Sequence, residues 1–330
     1  MIISRTPFRI SFFGGGTDYP AWFKENGGSV LSTSINKYCH IFCRYLPPFF
    51  NNKHRIVWSR VENVSYIEEI QHPSVRECMR FMDIQEGLVI HHDGDLPARS
   101  GLGSSSAFTV GLLNALHTLR QQTIDRQQLA IEAIRIEHDV IRENVGYQDQ
   151  VAVAVGGFNR IDFQRNGVFT VEKINVSAER LGVLHDHLVL VFTGISRTAS
   201  DIAGNKIKAI SERKVELAAM QSMVDEAIKI LARKDQIEEF GKLLHESWLL
   251  KRSLTPQVSN LHIDAVYERA RLAGAIGGKL LGAGGGGFML LFADPGRHLE
   301  IKKALGEFIC VPFQFETLGS HILFDGKPKI

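Results

Sequence analysis

One stretch of the chain decides its fold: Leu96-Pro97-Ala98-Arg99-Ser100-Gly101-Leu102-Gly103-Ser104-Ser105-Ser106-Ala107. A strand pattern, Leu88 to His92, precedes it, and apolar residues at helical spacing follow it, so we expect a strand, a loop and a helix over about Ser104 to Leu119. Backbone N–H groups at a helix N-terminus have no partner inside the helix and carry the positive end of its dipole, so they favour phosphate. Gly101 and Gly103 also lack the β-carbons that would hold the backbone away from an anion.

The sequence therefore predicts a phosphate-binding loop. The alternatives are a flexible linker, which is out of place between a strand and a well-patterned helix, and an over-supplied helix cap. The predicted phosphate-binding residues are Pro97, Arg99, Gly101, Leu102, Gly103, Ser104, Ser105 and Ser106. No Gly-x-x-x-x-Gly-Lys-Ser/Thr loop occurs in the sequence, which excludes the Walker type of nucleotide site.

Length and composition predict an ordinary globular protein of one large or two medium domains, with 330 residues, 44% of them hydrophobic and 22% charged. A net charge of +2 without a basic run argues against a nucleic-acid partner. No stretch approaches the ~18 consecutive apolar residues of a membrane span, and the first residues do not read as a signal peptide. We therefore expect no membrane partner and a cytoplasmic location. Period-two spacing puts Cys39 and Cys43 on one face of a strand, which favours core thiols over a metal pair.

The order of strand and helix patterns predicts an α+β fold in two halves. Strands and helices alternate in the first half, which ends in a hairpin with its turn at Asn166-Gly167. The second half opens with a strand, His187 to Phe192, and closes with a glycine-rich turn and a strand, Phe288 to Phe292. Its helical patterns run from about Ser200 to Arg233, from Ile237 to Leu250 and from Ile263 to Ala273. We place a domain boundary near residue 180, which gives domains 1–180 and 181–330.

An N-terminal strand runs into three glycines in Thr6-Pro7-Phe8-Arg9-Ile10-Ser11-Phe12-Phe13-Gly14-Gly15-Gly16-Thr17-Asp18-Tyr19. Glycines let the backbone approach a ligand closely, and the carboxylate of Asp18 can accept hydrogen bonds from sugar hydroxyls. The sequence predicts a sugar-binding turn at Gly15, Gly16, Thr17 and Asp18. A tight turn with a structural aspartate is the alternative.

Two acidic residues stand out further along. Glu137 continues the apolar stripe of Ala130 and Ile134 on a helix that begins after Asp125, and a carboxylate there is costly unless it is paired or binds a metal. Asp149 lies beside small residues in the next segment. For each of them, taken alone, a local ion pair is the competing interpretation.

The C-terminal run Gly282-Ala283-Gly284-Gly285-Gly286-Gly287 contains Gly-x-Gly-x-x-Gly, a weak pattern by itself. A dinucleotide site needs the order strand, loop, helix. Here we expect helix, loop, strand, which argues against a Rossmann site. A structural turn is the alternative to a ligand-binding loop.

Three motifs in this order resemble the galactokinase, homoserine kinase, mevalonate kinase and phosphomevalonate kinase (GHMP) superfamily. The stretch around Gly101 resembles its central motif and Thr6 to Tyr19 its first. Lys279 to Gly287, with Gly284 and Gly285 as expected sugar contacts, resembles the third motif, which closes over nucleotide and substrate. The resemblance implies an α+β fold of two domains: an N-terminal, ATP-binding, ribosomal protein S5-like α/β domain and a C-terminal, ferredoxin-like α+β domain.

The same resemblance implies roles for the acidic residues. Glu137 and Asp149 match the magnesium-binding glutamate and the catalytic aspartate of galactokinase-like members. Mg²⁺ is then held by Ser105 and Glu137, and Asp149 deprotonates or orients the acceptor hydroxyl. Arg9 keeps Asp149 ionised and stabilises charge on the transferred phosphoryl group. Phosphoryl transfer needs mainly positioning and charge neutralisation, and this set of residues supplies both.

Within the superfamily the sequence resembles the D-glycero-D-manno-heptose 7-phosphate kinases. The stretches that carry this resemblance are Arg5 to Ser11 with Gly14-Gly15-Gly16, Glu143 to Gly146, Thr193 to Arg197, and Trp248 to Leu254. Galactokinase-like members have Glu-His where this chain has Gly15-Gly16, and the loss of that negative charge favours a phosphorylated or bulkier sugar. The resemblance implies ATP-dependent phosphorylation of the C1 hydroxyl to the 1,7-bisphosphate, for nucleotide-activated heptose and surface glycans.

A phosphorylated sugar needs basic partners, and Arg197 and Lys251 are the candidates; the alternative for both is a solvated surface charge. Two other functions stay open. One is a sugar 1-kinase for an unphosphorylated sugar, of the fucokinase or galactokinase kind. The other is a non-catalytic regulator that binds sugar and ATP. The oligomeric state is also open, a homodimer included.

Overall fold

The computed structural model describes residues 1–195 and 212–326, which form two β-sheets flanked by helices. The strands are β1 Ile2–Phe13, β2 Gly28–Tyr45, β3 His54–Val57, β4 Val61–Val64, β5 Leu88–Gly94, β6 Phe158–Phe163, β7 Phe169–Lys173, β8 Leu188–Phe192, β9 Ala275–Leu280, β10 Phe288–Ala293, β11 Ile309–Cys310, β12 Phe315–Glu316 and β13 His321–Asp325. The α-helices are α1 Pro20–Asn26, α2 Pro73–Phe81, α3 Ser104–Leu119, α4 Arg126–Ile134, α5 Gln148–Val155, α6 Ala178–Asp186, α7 Lys214–Ala232, α8 Glu238–Leu254, α9 Leu261–Leu272 and α10 His298–Leu305.

The larger sheet is organised by the long strand β2. One edge of β2 pairs antiparallel with β1, and its other edge pairs first with β6 and then with β5. Helix α3 packs on β1 and β2, where the Ser4 hydroxyl donates to the carbonyl of Gly111 (2.7 Å). The eight residues at the end of β1 are all buried, which carries Arg9 and the glycine turn into the interior. The sheet thereby brings the N-terminal motif and the phosphate loop to one place.

The smaller sheet has the order β11-β8-β10-β9, with α8 and α9 packed against it. The sequence pattern predicts helix, loop, strand here, and this prediction is wrong: strand β9 lies before the glycine run, so the order is strand, loop, strand. Glycine has a low strand propensity, so the local sequence around Gly277-Gly278 does not predict a strand. These glycines are required by packing, because a β-carbon on Gly277 would lie 1.9 Å from the carbonyl oxygen of Gly241 on α8. A β-hairpin around the glycine run also excludes a Rossmann site.

Gly277→Ala is expected to lower the free energy of unfolding by about 1–3 kcal/mol, because α8 and β9 must separate to admit the new methyl group. Gly182 on α6 is a matched control, since a β-carbon there meets no atom within 4 Å. Gly182→Ala is expected to stabilise the protein by about 0.5–1 kcal/mol, the cost of a glycine inside a helix. Urea denaturation of both variants measures the difference, and equal midpoints would contradict the packing argument.

Several expectations from the sequence are confirmed. Helix α3 covers Ser104–Leu119, and the side chain of Asp125 caps α4 by accepting a hydrogen bond from the Gln128 N–H (2.8 Å). Cys39 and Cys43 are buried thiols, and burial raises the pKa of Cys43 to about 12. As a separate finding, none of the described helices combines the length and apolar character that crossing a membrane requires.

The C-terminal part of the chain returns to the larger sheet. Strand β13 pairs with β1 and β12 pairs with β2. Both strands follow residue 181, the predicted start of the second domain. The division into 1–180 and 181–330 stays a prediction, and the larger sheet takes strands from both parts.

Candidate active site

The predicted phosphate loop connects β5 to α3 and packs backbone to backbone against the C-terminal glycine run. Gly101 has a φ of 83°, and a β-carbon on it would lie 2.6 Å from the carbonyl oxygen of Leu281. The Phe288 N–H donates to the carbonyl of Ser100 (3.1 Å), and a β-carbon on Gly287 would lie 2.2 Å from that same oxygen. Two motifs that are far apart in the sequence therefore form one structural unit.

Helix α3 has an N-terminus without a side-chain cap. Its N-cap is Gly103, in the left-handed conformation at φ 75°. The first helical bond runs from the Ala107 N–H to the Gly103 carbonyl (2.8 Å), so the amides that precede it have no partner within the helix. The Ser104 hydroxyl accepts from the Arg99 N–H (3.1 Å) and braces the loop, in which Arg99 itself has a φ of 59°. Such a helix end binds anions through its backbone.

The other predicted loop residues divide by exposure. Pro97 and Arg99 are exposed at the start of the loop, whereas the side chain of Leu102 is fully buried in the core. The carbonyl of Leu102 accepts a hydrogen bond from the Arg9 N–H (3.0 Å). Leu102 therefore anchors the loop to β1 and offers no side chain to a ligand.

Glu137 lies in a π-helical turn, Arg135–Val140, that continues α4. π-helical turns within helices are frequent at functional sites. The Glu137 side chain is fully buried, and its Oε2 accepts hydrogen bonds from the Ser106 hydroxyl (2.9 Å) and from the Gln150 amide. Burial raises the Glu137 pKa to about 7, against the lowering effect of the hydrogen-bond donors around it. Among the described residues, its Oε1 is buried without a hydrogen-bond partner.

An unpartnered buried carboxylate oxygen beside a hydroxyl fits a hard cation such as Mg²⁺, which is bound by one or two protein groups together with phosphate oxygens. The family resemblance implies that Glu137 shares the ion with Ser105. The structure does not bring these two together: Ser105 is exposed, and Ser106 is the serine bonded to Glu137. Successive helix residues are turned by about 100°, so only one of the serines in this first turn faces the π-helical turn.

Arg9 and Asp149 form a bidentate ion pair beside the phosphate loop. Arg9 Nε donates to Asp149 Oδ1 (2.9 Å), and a terminal nitrogen donates to Oδ2 (2.8 Å). The other terminal nitrogen donates to the carbonyl of Gly101 (2.6 Å). Arg9 is almost fully buried, while the side chain of Asp149 is 23% exposed and so reaches the open side of the site. The carboxylate also lies in the first turn of α5, where the helix dipole favours negative charge.

The glycine turn directly follows β1, the strand that carries Arg9. Thr17 is buried, and its hydroxyl donates to the carbonyls of Gly14 (2.8 Å) and Ser29 (3.0 Å). Asp18 is also buried, and its Oδ1 accepts from the Gly16 N–H (2.8 Å). Both side chains therefore hold the turn in shape. Gly15 is the half-exposed member of the predicted sugar-binding set at this turn.

The C-terminal glycine run is held by buried polar groups. Lys251 is buried, and its Nζ donates to the carbonyls of Leu280 (2.6 Å) and Gly282 (2.7 Å), so it supports the glycine run from within. The Gly285 N–H donates to the carbonyl of Val258 (3.0 Å), and Gly284 packs against the same residue. Arg197, the other basic candidate, lies outside the described residues.

Two buried polar side chains of the site were not assigned from the sequence. Gln150 bonds Glu137, and Lys279 Nζ donates to the carbonyl of Phe12 (2.6 Å), which ties β9 to the end of β1. The available signal was a polar residue inside an apolar segment: Gln150 precedes Val151-Ala152-Val153. Buried polar side chains are usually hydrogen-bonded, so a polar residue in such a segment indicates a partner.

Comparisons with known proteins show which family this chain resembles. The family model described as GHMP kinases N terminal domain matches residues 67–157, and GHMP kinases C terminal matches residues 223–309. A D-glycero-alpha-D-manno-heptose 7-phosphate kinase of Campylobacter jejuni is 30% identical over 92% of this chain and 93% of its own length. A bifunctional fucokinase/GDP-fucose pyrophosphorylase of Arabidopsis thaliana is 26% identical over 91% of this chain and 31% of its own length.

Solved structures show the same fold. A D-glycero-D-manno-heptose 1-phosphate kinase from Bacteriodes thetaiotaomicron superimposes with a TM-score of 0.74 at 24% identity, over 99% of this chain and 100% of that one. A putative sugar kinase from Campylobacter jejuni superimposes with a TM-score of 0.71 at 25% identity, over 97% of both chains.

Proposed function

This chain belongs to the GHMP kinases and transfers a phosphoryl group to a sugar hydroxyl, and from that premise we propose that its acceptor is D-glycero-D-manno-heptose 7-phosphate. The product would be the 1,7-bisphosphate, formed at the anomeric C1 hydroxyl with ATP as donor. The observation that carries the proposal is the 30% identity to a heptose 7-phosphate kinase along nearly the whole of both chains. The absence of a side chain at Gly15 and Gly16 supports it, because neither position carries a carboxylate that would repel a sugar phosphate.

We assign the phosphates of ATP to the open N-terminus of α3 and the Gly101–Gly103 turn. Asp149 faces the open side of the site with its carboxylate held in place by two hydrogen bonds from Arg9, and it accepts or orients the proton of the sugar hydroxyl. The hydroxyl oxygen forms its new bond to the γ-phosphorus as the bond to the ADP oxygen breaks. Arg9 also donates to the Gly101 carbonyl, so its positive charge lies beside the loop to which we assign the phosphates.

Glu137, with Ser106 or the neighbouring Ser105, would hold Mg²⁺ in this site. When bound, the ion would neutralise the negative charge of the phosphates. The chain's own part is to keep one buried carboxylate oxygen unpartnered and to fix the other through Ser106 and Gln150.

ATP turnover against a panel of sugars tests the proposed acceptor. We expect kcat/KM for heptose 7-phosphate to exceed that for free heptose, mannose and fucose by about 10²-fold or more, since a site built for a charged group rejects substrates that lack it. Phosphorus NMR of the product should show a second phosphate on the anomeric carbon. Turnover of a free hexose without turnover of any phosphosugar would overturn the heptose assignment.

A sugar 1-kinase for an unphosphorylated sugar is the second candidate, favoured by the 26% identity to a bifunctional fucokinase over 91% of this chain. The same panel separates the two, because fucose would then be the preferred acceptor. Binding of ATP and sugar without turnover would point instead to a non-catalytic regulator.

A further inference from the structure

Strand β1 and helix α5 are joined by two adjacent side-chain contacts. The first is the ion pair of Arg9 with Asp149. The second is a hydrogen bond from the Ser11 hydroxyl to Gln148 Oε1 (2.7 Å). Arg9 and Ser11 are two residues apart on the strand, and Gln148 and Asp149 are consecutive in the first turn of the helix. The Gln148 amide is therefore held immediately beside the carboxylate that we assign to catalysis.

The bond from Ser11 fixes which end of the Gln148 amide faces the glycine turn. Ser11 is buried and donates to the amide oxygen, so the nitrogen points the other way. Gln148 Nε2 would lie 3.7 Å from a β-carbon built on Gly15, which places it over the half-exposed glycine. Within residues 1–195 and 212–326, Nε2 has no hydrogen-bond acceptor, although an amide nitrogen carries two donors.

The backbone around Gln148 is packed on the same turn. The Gln148 N–H donates to Asp18 Oδ2 (3.4 Å), and the Tyr147 N–H donates to the Asp18 carbonyl (3.0 Å). A β-carbon on Gly146 would lie 1.8 Å from Asp18 Oδ2. This segment is therefore closely tied to the glycine turn, and Gln148 lies between that turn and Asp149.

We propose that Gln148 binds the acceptor sugar. Its Nε2 donates to the ring oxygen or to the hydroxyl next to the one that is phosphorylated, and so sets the reacting hydroxyl against Asp149. The glycines at 15 and 16 supply no polar side chain of their own, and the fixed amide provides donors at the same place. This role rests on the proposed function in one respect, which is that the acceptor is a sugar. It goes further by naming the side chain that donates a hydrogen bond to that sugar.

Gln148→Leu removes the donors with little change in size. We expect the KM for the sugar to rise about 10- to 100-fold, with the KM for ATP within about twofold of wild type, because only sugar binding loses a hydrogen bond. Gln148→Glu is a second variant of the same shape, which keeps the bond from Ser11 but has no donor, and it should raise the sugar KM similarly. Gln127→Leu, on the exposed face of α4, is the matched control and should change neither constant.

The assay uses whichever of heptose 7-phosphate, free heptose, mannose and fucose the wild-type enzyme phosphorylates. A sugar KM unchanged in both variants would overturn the role of Gln148, and so would equal rises in the KM values of sugar and ATP, which indicate a structural role. A wild-type preference for a free sugar would overturn the heptose assignment while leaving the Gln148 experiment decisive. The two proposals therefore fail separately.

Discussion

Asp149→Asn is expected to lower kcat by about 10²- to 10⁴-fold, the range for losing a group that accepts or orients a proton. The asparagine amide cannot accept the proton of the sugar hydroxyl. It also turns an NH₂ group toward the Arg9 guanidinium, which replaces one of two charge-assisted hydrogen bonds with a repulsive contact. The phosphate loop keeps its backbone, so the affinity for ATP should stay within a few-fold of wild type. Single-turnover kinetics and ATP titration measure the two effects separately.

Asp162→Asn is a matched control for this prediction. Asp162 accepts from Arg160 Nε with both oxygens (2.9 and 2.8 Å), and so forms a comparable arginine–aspartate pair on β6, outside the assigned site. Its substitution should leave kcat within about twofold, because a half-exposed pair contributes little. Near-normal turnover of Asp149→Asn would remove Asp149 from the reaction, and the charge of Arg9 with the phosphate loop would then have to account for catalysis.

Local chemistry made part of this site predictable. A strand, a loop of glycines and serines and a helix follow one another within about thirty residues, and the bounds of α3 are those that its apolar spacing indicates. The buried position of Glu137 also follows from the stripe on which it lies. What the pattern does not contain is the change from α- to π-helix at Arg135, which fixes where the carboxylate lies relative to the serines.

Long-range contacts account for what the sequence did not reveal. Arg9 and Asp149 are 140 residues apart. Only the resemblance of their motifs to those of a known family predicted that the two side chains act together. Strand β9 was missed because local propensity opposes it, and close packing on α8 overrides that propensity. The pairing of Ser106 with Glu137 depends on how two helices are rotated about their axes, which hydrophobic periodicity defines too loosely to separate neighbouring serines.

Glu137→Gln is expected to stabilise the metal-free protein at pH 8 while removing its activity. Burial raises the Glu137 pKa from its ordinary value of 4.5 to about 7. The unfolded chain loses the Glu137 proton near pH 4.5, and the folded protein loses it only near pH 7. The free energy of unfolding therefore falls as the pH rises from about 4.5 to about 7, and it stays at the lower value above that pH. Glutamine carries no charge at any pH, so the free energy of unfolding at pH 8 in EDTA should exceed that of wild type by about 2 kcal/mol, within what the raised pKa allows.

Glu132→Gln should show the opposite sign, which makes it the control. Burial acts to raise the Glu132 pKa, but hydrogen bonds from His117 and Gln128 outweigh it and lower the pKa below its ordinary value. Its carboxylate therefore stabilises the fold above about pH 4.5 and ceases to do so in acid, so glutamine at 132 should lower stability at pH 8. A Glu137→Gln variant less stable than wild type at pH 8 would show that the folded protein does not resist ionisation of Glu137.

Glu137→Gln also shows whether Glu137 is a metal ligand or a structural carboxylate. Mg²⁺ with a non-hydrolysable ATP analogue should raise the unfolding midpoint of wild type, because a ligand bound only to the folded state stabilises it. In Glu137→Gln that increase should largely disappear and kcat should fall by about 10²-fold or more, since the neutral amide is a poor ligand for a hard cation.

Ser105→Ala and Ser106→Ala, each measured in the same way, identify the serine that shares the ion: Ser106 makes the bond to Glu137, so its loss should have the larger effect. A greater loss in Ser105→Ala would mean that the first turn of α3 rotates when the nucleotide binds, and would restore the pairing that the sequence suggested.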